Sequence, residues 1–317
     1  MKKNKLNNNV GVTLIEILIG IVISSMMMAA MYTTYSVVNN SYSQVTDRAK
    51  ISRSGRDLIG MMMRDIRLAG FKYYYGVNVV GIPKNDYLQY VGGDSSVKDS
   101  HDPLIIIKDE LGYTTDTSEA SRTAKHNKVK EDGEWVDSEK EDMCCDKIHI
   151  VYGDFDQNNL EQPYKKYKIT YFAQPSSGGN DYFYGIYKSK ESWIQTVNDG
   201  SGTWTSDPNL CPECYSSELI RDHITDMEFI AFGNQGKIFN PPPSPDNPST
   251  RGDLYNIKIV DVRLTFRSKR EFFRAEAQEG KPRLVKGLGD RTREFFDKFL
   301  RDSVVVTVHT RNIGAGS

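Results

Sequence analysis

Proline is absent from the first 82 residues, so nothing there forces a helix to break. Cysteine is scarce. Four in 317 residues exclude a disulfide-dense miniprotein, and a chain of this length needs no such staples to hold a core. Neither sign of charge dominates: 41 Lys+Arg stand against 42 Asp+Glu, a formal net charge of −1, which leaves no global footprint for nucleic acid. Long apolar runs are missing except for one near the N-terminus, which excludes a polytopic membrane protein. There is no Gly-x-Ser-x-Gly elbow, Walker glycine loop or dinucleotide fingerprint. His101, His126, His149, His223 and His309 are scattered without metal-ligand spacing. No nucleophile, base or metal cluster can be assembled from spacing, so an enzyme is not expected and no cofactor is implied.

The single apolar run, Leu14 to Met31, is 18 residues with one charge, Glu16, about the shortest length that crosses a hydrocarbon core as a helix. It follows Lys2, Lys3 and Lys5 with no acidic residue before it, which keeps the leading end cytoplasmic and exports the remainder. A cleaved secretory signal is disfavoured, because Ala29-Ala30 is preceded at the required spacing by Met27 or Met28. Glu16 is the anomaly. An acidic residue near a helix centre in a bilayer costs about 2.5 to 3.5 kcal/mol, less toward the end, so it asks for a partner.

Gly11-Val12-Thr13-Leu14-Ile15-Glu16 resembles the signal of type IV prepilins. That resemblance implies cleavage after Gly11 by a prepilin peptidase and methylation of the new α-amine of Val12, which differs from the family's usual phenylalanine or methionine. The cationic chain end could then pair with Glu16 of a neighbouring subunit and neutralise both charges in low dielectric.

Beyond the apolar run, Val45, Ile51, Leu58, Ile59, Met62, Ile66 and Leu68 recur at helical spacing among charged residues. The pattern predicts a helix over 12–70, with 12–35 apolar and 36–70 amphipathic, stopped at Gly70. Gly20, Gly55 and Gly60 are points where the helix could bend or locally melt, each costing about 1 kcal/mol relative to alanine. Met26 to Met28 and Met61 to Met63 are read as adaptable apolar filler. The close of this helix, Ile66-Arg67-Leu68-Ala69-Gly70-Phe71, resembles the PilW-like minor pilins, as do Tyr255 to Thr265 and the final Thr310-Arg311-Asn312.

From Phe71 on, β-branched and aromatic runs predict strands over Leu104 to Ile107, Lys147 to Tyr152, Tyr164 to Phe172, Tyr182 to Tyr187, Thr225 to Phe232, Tyr255 to Phe266 and Ser303 to Thr310. The spacing of Phe295, Phe296, Phe299 and Leu300 suggests a short helix over Thr292 to Leu300. The fold class expected is α+β and pilin-like, a long N-terminal helix packed on an antiparallel sheet head of residues 71–317, with 1–11 as a leader. Between Asp94 and Glu161 there are 18 acidic and 8 basic residues, and from Tyr255 to Ser317 there are 14 basic and 8 acidic. This asymmetry reads as solvated loops before it reads as docking faces or a patch for DNA. Lys108 to Asp142 reads as a partly mobile acidic insertion. Arg251-Gly252-Asp253 in its proline-rich loop carries almost no weight as an adhesion signal.

Cys144-Cys145 and Cys211-Pro212-Glu213-Cys214 are disulfide candidates in an exported head. Adjacent cysteines close a strained ring, so each of Cys144 and Cys145 is expected to reach across to the other pair, although three pairings are open. A four-thiolate zinc site or a redox CxxC fits less well. Asp154, Asp156 and Asn158 alternate as at the start of a calcium loop, but Lys165 stands where its closing glutamate belongs, and a polar hairpin turn is the simpler reading.

The resemblance implies a structural minor pilin that assembles or primes a type IV pilus and caps its tip. Its partners would be other minor and major pilins, the prepilin peptidase and the inner-membrane assembly platform. It would start as a single span in the inner membrane with an exported head and end in the fibre at the cell surface. Alternatives are a minor pseudopilin of a type II secretion system and a membrane-anchored adhesin or binding module.

Overall fold

The computed structural model describes residues 13–71, 102–108, 128–131, 134–137, 144–155, 164–178, 181–195, 202–273, 281, 283–288, 292–295 and 297–313. The chain divides into two compact units, Met1–Lys50 and Ile51–Ser317. Helix α1 (Leu14–Leu68) runs through both as one uninterrupted element of 55 residues, as expected where no proline intervenes.

In the second unit α1 buries Ile51, Leu58, Ile59, Met62, Ile66 and Ala69, a stripe with the three- and four-residue steps of one helix face. Gly70 ends the helix at φ +73, in the left-handed region that suits glycine, and a Cβ there would meet Asn312 O and Pro103 Cβ at 3.3 Å. Its N–H donates to Val151 O at 2.9 Å, so the stop is also a tie to the sheet.

Two glycines of the buried half differ in their surroundings. Gly55 lets α1 approach the sheet: a Cβ there would sit 2.9 Å from Phe266 Cε2 and 3.3 Å from Val304 Cγ2, whereas at Gly60 nothing lies within 4 Å. Gly60→Ala is therefore expected to raise stability by up to about 1 kcal/mol through helix propensity. Gly55→Ala is expected to lower it by about 1–3 kcal/mol through overpacking. Urea midpoints of the two full-length variants should move in opposite directions.

The main sheet is antiparallel throughout, in the order β1 (Leu104–Ile107), β4 (Lys147–Phe155), β5 (Tyr164–Gly178), β6 (Asp181–Gln195), β8 (Tyr215–Phe232), β10 (Ile259–Glu271), β13 (Phe299–His309). Short β7 (Gly202–Thr205) adds to β6, and β9 (Ile238–Phe239) adds to β8. Two separate hairpins are β2 (Lys128–Glu131) with β3 (Glu134–Asp137), and β11 (Arg283–Lys286) with β12 (Thr292–Phe295). The α+β class and the helix-on-sheet architecture are thus as read from sequence. Of the acidic insertion at 108–142, the residues other than Lys108, β2 and β3 lie outside the described residues.

Strand β8 is long because it serves two partners. Its first half pairs with β6 up to Ile224 opposite Tyr184, and its second half pairs with β10. Beside that second half sits the chain returning at Cys144. Asp146 N donates to Met227 O, and the Asp146 carboxylate accepts from Phe229 N at 2.8 Å and from Lys108 Nζ at 2.7 Å. Lys108 Nζ also donates to Phe229 O.

One expected element is corrected. Thr292 to Leu300 is not helical: β12 ends at Phe295 and β13 begins at Phe299. Phe295 and Phe299 are held by cations instead of a helix face. Arg301 lies 3.6 Å over the Phe295 ring and Arg267 lies 3.9 Å over Phe299, while Asp297 takes both ends of the Arg301 guanidinium at 2.7 and 2.5 Å.

His149 is neutral by position. Its Nδ1 meets Thr170 Oγ1 at 2.8 Å, and burial, with Lys147 and Lys168 adding repulsion, takes its pKa down from 6.5 to about 3. The unfolded chain accepts a proton near pH 6.5 that the folded chain refuses until about pH 3. Stability is therefore full above pH 6.5 and falls below it by about 1.4 kcal/mol per unit, or about 2 kcal/mol by pH 5. His149→Gln should remove that part of the slope when urea unfolding of the variant and the parent is compared from pH 7 to 5.

Candidate functional site

The first unit presents a helix whose apolar side chains are all outward. From Leu14 to Val45 every large apolar residue is exposed, from 51% at Val22 to 77% at Leu14. Among the described residues α1 is the one helix long and apolar enough to cross a membrane. Four of its hydroxyls donate back to helix carbonyls, the arrangement that an apolar medium favours. Ser25 Oγ donates to Val22 O, Thr33 and Thr34 Oγ1 both donate to Ala30 O, and Ser41 Oγ donates to Val37 O, all at 2.8–2.9 Å.

Glu16 sits in the first turn with a local partner that the sequence reading overlooked. Thr13 N and Thr13 Oγ1 both donate to Glu16 Oε2 at 2.8 Å, and Glu16 N donates to Thr13 Oγ1 at 3.4 Å. This is a capping box, and Thr-x-x-Glu before an apolar run was its legible signature. Gly11 and Val12 lie outside the described residues.

The cysteines are paired otherwise than expected. Cys144 bonds Cys145 and Cys211 bonds Cys214, with Cα separations of 3.2 and 5.2 Å. The two pairs occupy different places, which is why they do not reach across. Cys211 and Cys214 face each other over a turn, with Cys214 N donating to Cys211 O at 3.0 Å. Glu213 in that turn accepts from Tyr167 Oη at 2.5 Å and from Lys190 Nζ at 2.6 Å, fixing it on β5 and β6. The Cys144–Cys145 pair instead precedes Asp146, beside β8. Cys144, Cys145 and Asp226 bring ligand-type atoms within 4.8 Å, but sulfurs joined to each other offer no thiolate to a metal.

Asp154 is an exposed residue of β4, opposite Lys165 of β5. These strands form the two arms of a hairpin, and Asp156 and Asn158 lie outside the described residues.

Residues 7–32 match the prokaryotic N-terminal methylation motif. The match begins after the three leader lysines and covers Gly11, Val12, the capping box and the apolar run, so the chain carries a prepilin-type N-terminus. No curated protein matches the chain. A type IV-like pilin from Thermus thermophilus is similar at 9% identity over 53% of this chain and 78% of that chain, with a TM-score of 0.25, a likeness too loose to carry weight. A pilin-like structural role follows from the motif and the helix it opens.

Proposed function

We propose that this chain is a minor pilin of the PilW-like kind, made as an inner-membrane prepilin, cut after Gly11, methylated on Val12 and built into a type IV pilus, where it primes assembly and caps the tip. The observation that carries this reading is the methylation motif running directly into a helix that exposes apolar side chains on every side. Such a helix is buried by lipid before assembly and by like helices of major and minor pilins after it. The inner-membrane assembly platform would move it from one surrounding to the other. In this reading the α-amine of Val12 gives Glu16 of a neighbour its counter-charge and sets axial register.

Gly11→Ala tests the first step. The added methyl group obstructs close approach of the peptidase to the backbone, so an immunoblot should show the unprocessed form accumulating at least tenfold over the mature one. Processed Gly11→Ala protein at the parental level would count against the proposal.

A further inference from the structure

The sheet has a second face, turned away from α1. Strand alternation assigns it: Leu104, Ile150 and Ile169 form one row across β1, β4 and β5 and are fully or nearly buried in the core, so the next row, Ile105, His149 and Thr170, faces the other way. On that face lies a cavity of about 480 Å³, within the range that holds small molecules. Its aliphatic wall is Ile105, Ile107 and Val151, and Trp204 of β7 stands beside it.

Opposite stands a proline-rich loop that contributes Pro241, Pro242 and Ser244. The loop is shaped in advance. Ser244 N donates to Thr250 Oγ1 at 3.3 Å, and the Asn247 side chain caps helix α2 (Pro248–Arg251) by accepting from Ser249 N at 3.0 Å. Trp204 is held as well, edge-on to Trp193 at 5.3 Å, with Lys168 Nζ 5.0 Å from its ring centre.

We propose that this pocket binds a neutral sugar ring, with Trp204 and the aliphatic wall taking its C–H face and the polar rim taking its hydroxyls. Charge selects against an anion. The two lysines of the lining are each compensated at 2.7 Å, Lys108 by Asp146 and Lys168 by Glu191, and His149 is neutral. A wholly apolar ligand would dehydrate Lys108, Lys168, Ser244 and Asp246 without replacing their hydrogen bonds with water. A sugar hydroxyl donates and accepts at once, so it suits a lining that holds both lysine ammonium groups and the Asp246 carboxylate. Lys108 has the capacity: its ammonium carries three donors, and Asp146 and Phe229 O take two.

The test uses the full-length protein in a zwitterionic detergent without sugar headgroups, titrated calorimetrically with N-acetylglucosamine, galactose, glucose and benzoate. At least one sugar should bind and benzoate should not. Trp204→Ala should weaken that sugar at least tenfold. Ser244→Trp, which fills the mouth from the loop, should do the same with an unchanged melting temperature, and it decides the matter if Trp204→Ala does not fold. Binding of benzoate in place of sugars, no binding of any sugar, or sugar binding indifferent to the folded variants would overturn the assignment.

Discussion

Glu16→Gln is expected to abolish assembly as completely as Glu16→Ala, with the yield of sheared pili falling at least tenfold in both while the protein stays in the membrane fraction. The comparison separates two jobs of one side chain. The capping box needs only an acceptor at the third helical position, and glutamine serves there as glutamate does. Loss of a cap costs about 0.5–2 kcal/mol, so alanine weakens the first turn and glutamine does not. Pairing with a neighbour's cationic chain end needs the charge itself, because in low dielectric an uncompensated ammonium is costly to bury. Normal piliation with Glu16→Gln would show that the capping interaction with Thr13 is all that Glu16 contributes.

Asp65→Ala is expected to destabilise the head by about 3–5 kcal/mol, the usual consequence of removing one partner of a buried ion pair. Asp65 is on α1 and is 1% exposed. Its Oδ2 accepts from Tyr171 Oη at 2.6 Å and from Lys188 Nζ at 2.7 Å, so one carboxylate oxygen joins the helix to β5 and β6. Burial and this carboxylate push the Tyr171 phenol well above its ordinary pKa, so it stays a donor at all working pH values. Removing Asp65 leaves the ammonium of Lys188 and the Tyr171 hydroxyl buried without it. The double variant Asp65→Leu with Lys188→Met removes both charges and should recover most of the loss. Urea midpoints of the single and double variants read this directly, and a double variant no better than Asp65→Ala would contradict the pairing.

The helix was legible because its signals are local: no proline, one apolar block, then a periodic stripe from Ile51 to Ala69. Strand positions were legible where β-branched residues cluster, as at Leu104–Ile107. Strand β6 was read short, ending at Tyr187 where it continues to Gln195, because Lys188 and Lys190 look solvated until Asp65 and Glu213 are placed beside them. The close approach at Gly55 was hidden for a similar reason, since Phe266 lies over two hundred residues away in sequence. The disulfide pairing depended on where the two cysteine segments lie, one ahead of β4 and one ahead of β8, which spacing does not encode. The capping box was local and could have been read. The pocket could not, because β1, β4, β5, β7 and a distant loop each supply part of it.

The most direct measurement is the intact mass of the protein extracted from membranes, with sequencing from its N-terminus. A chain that begins at methylated Val12 is the expected result. A chain that still begins at Met1, or one trimmed near Ala30, would contradict the assignment as a pilus subunit.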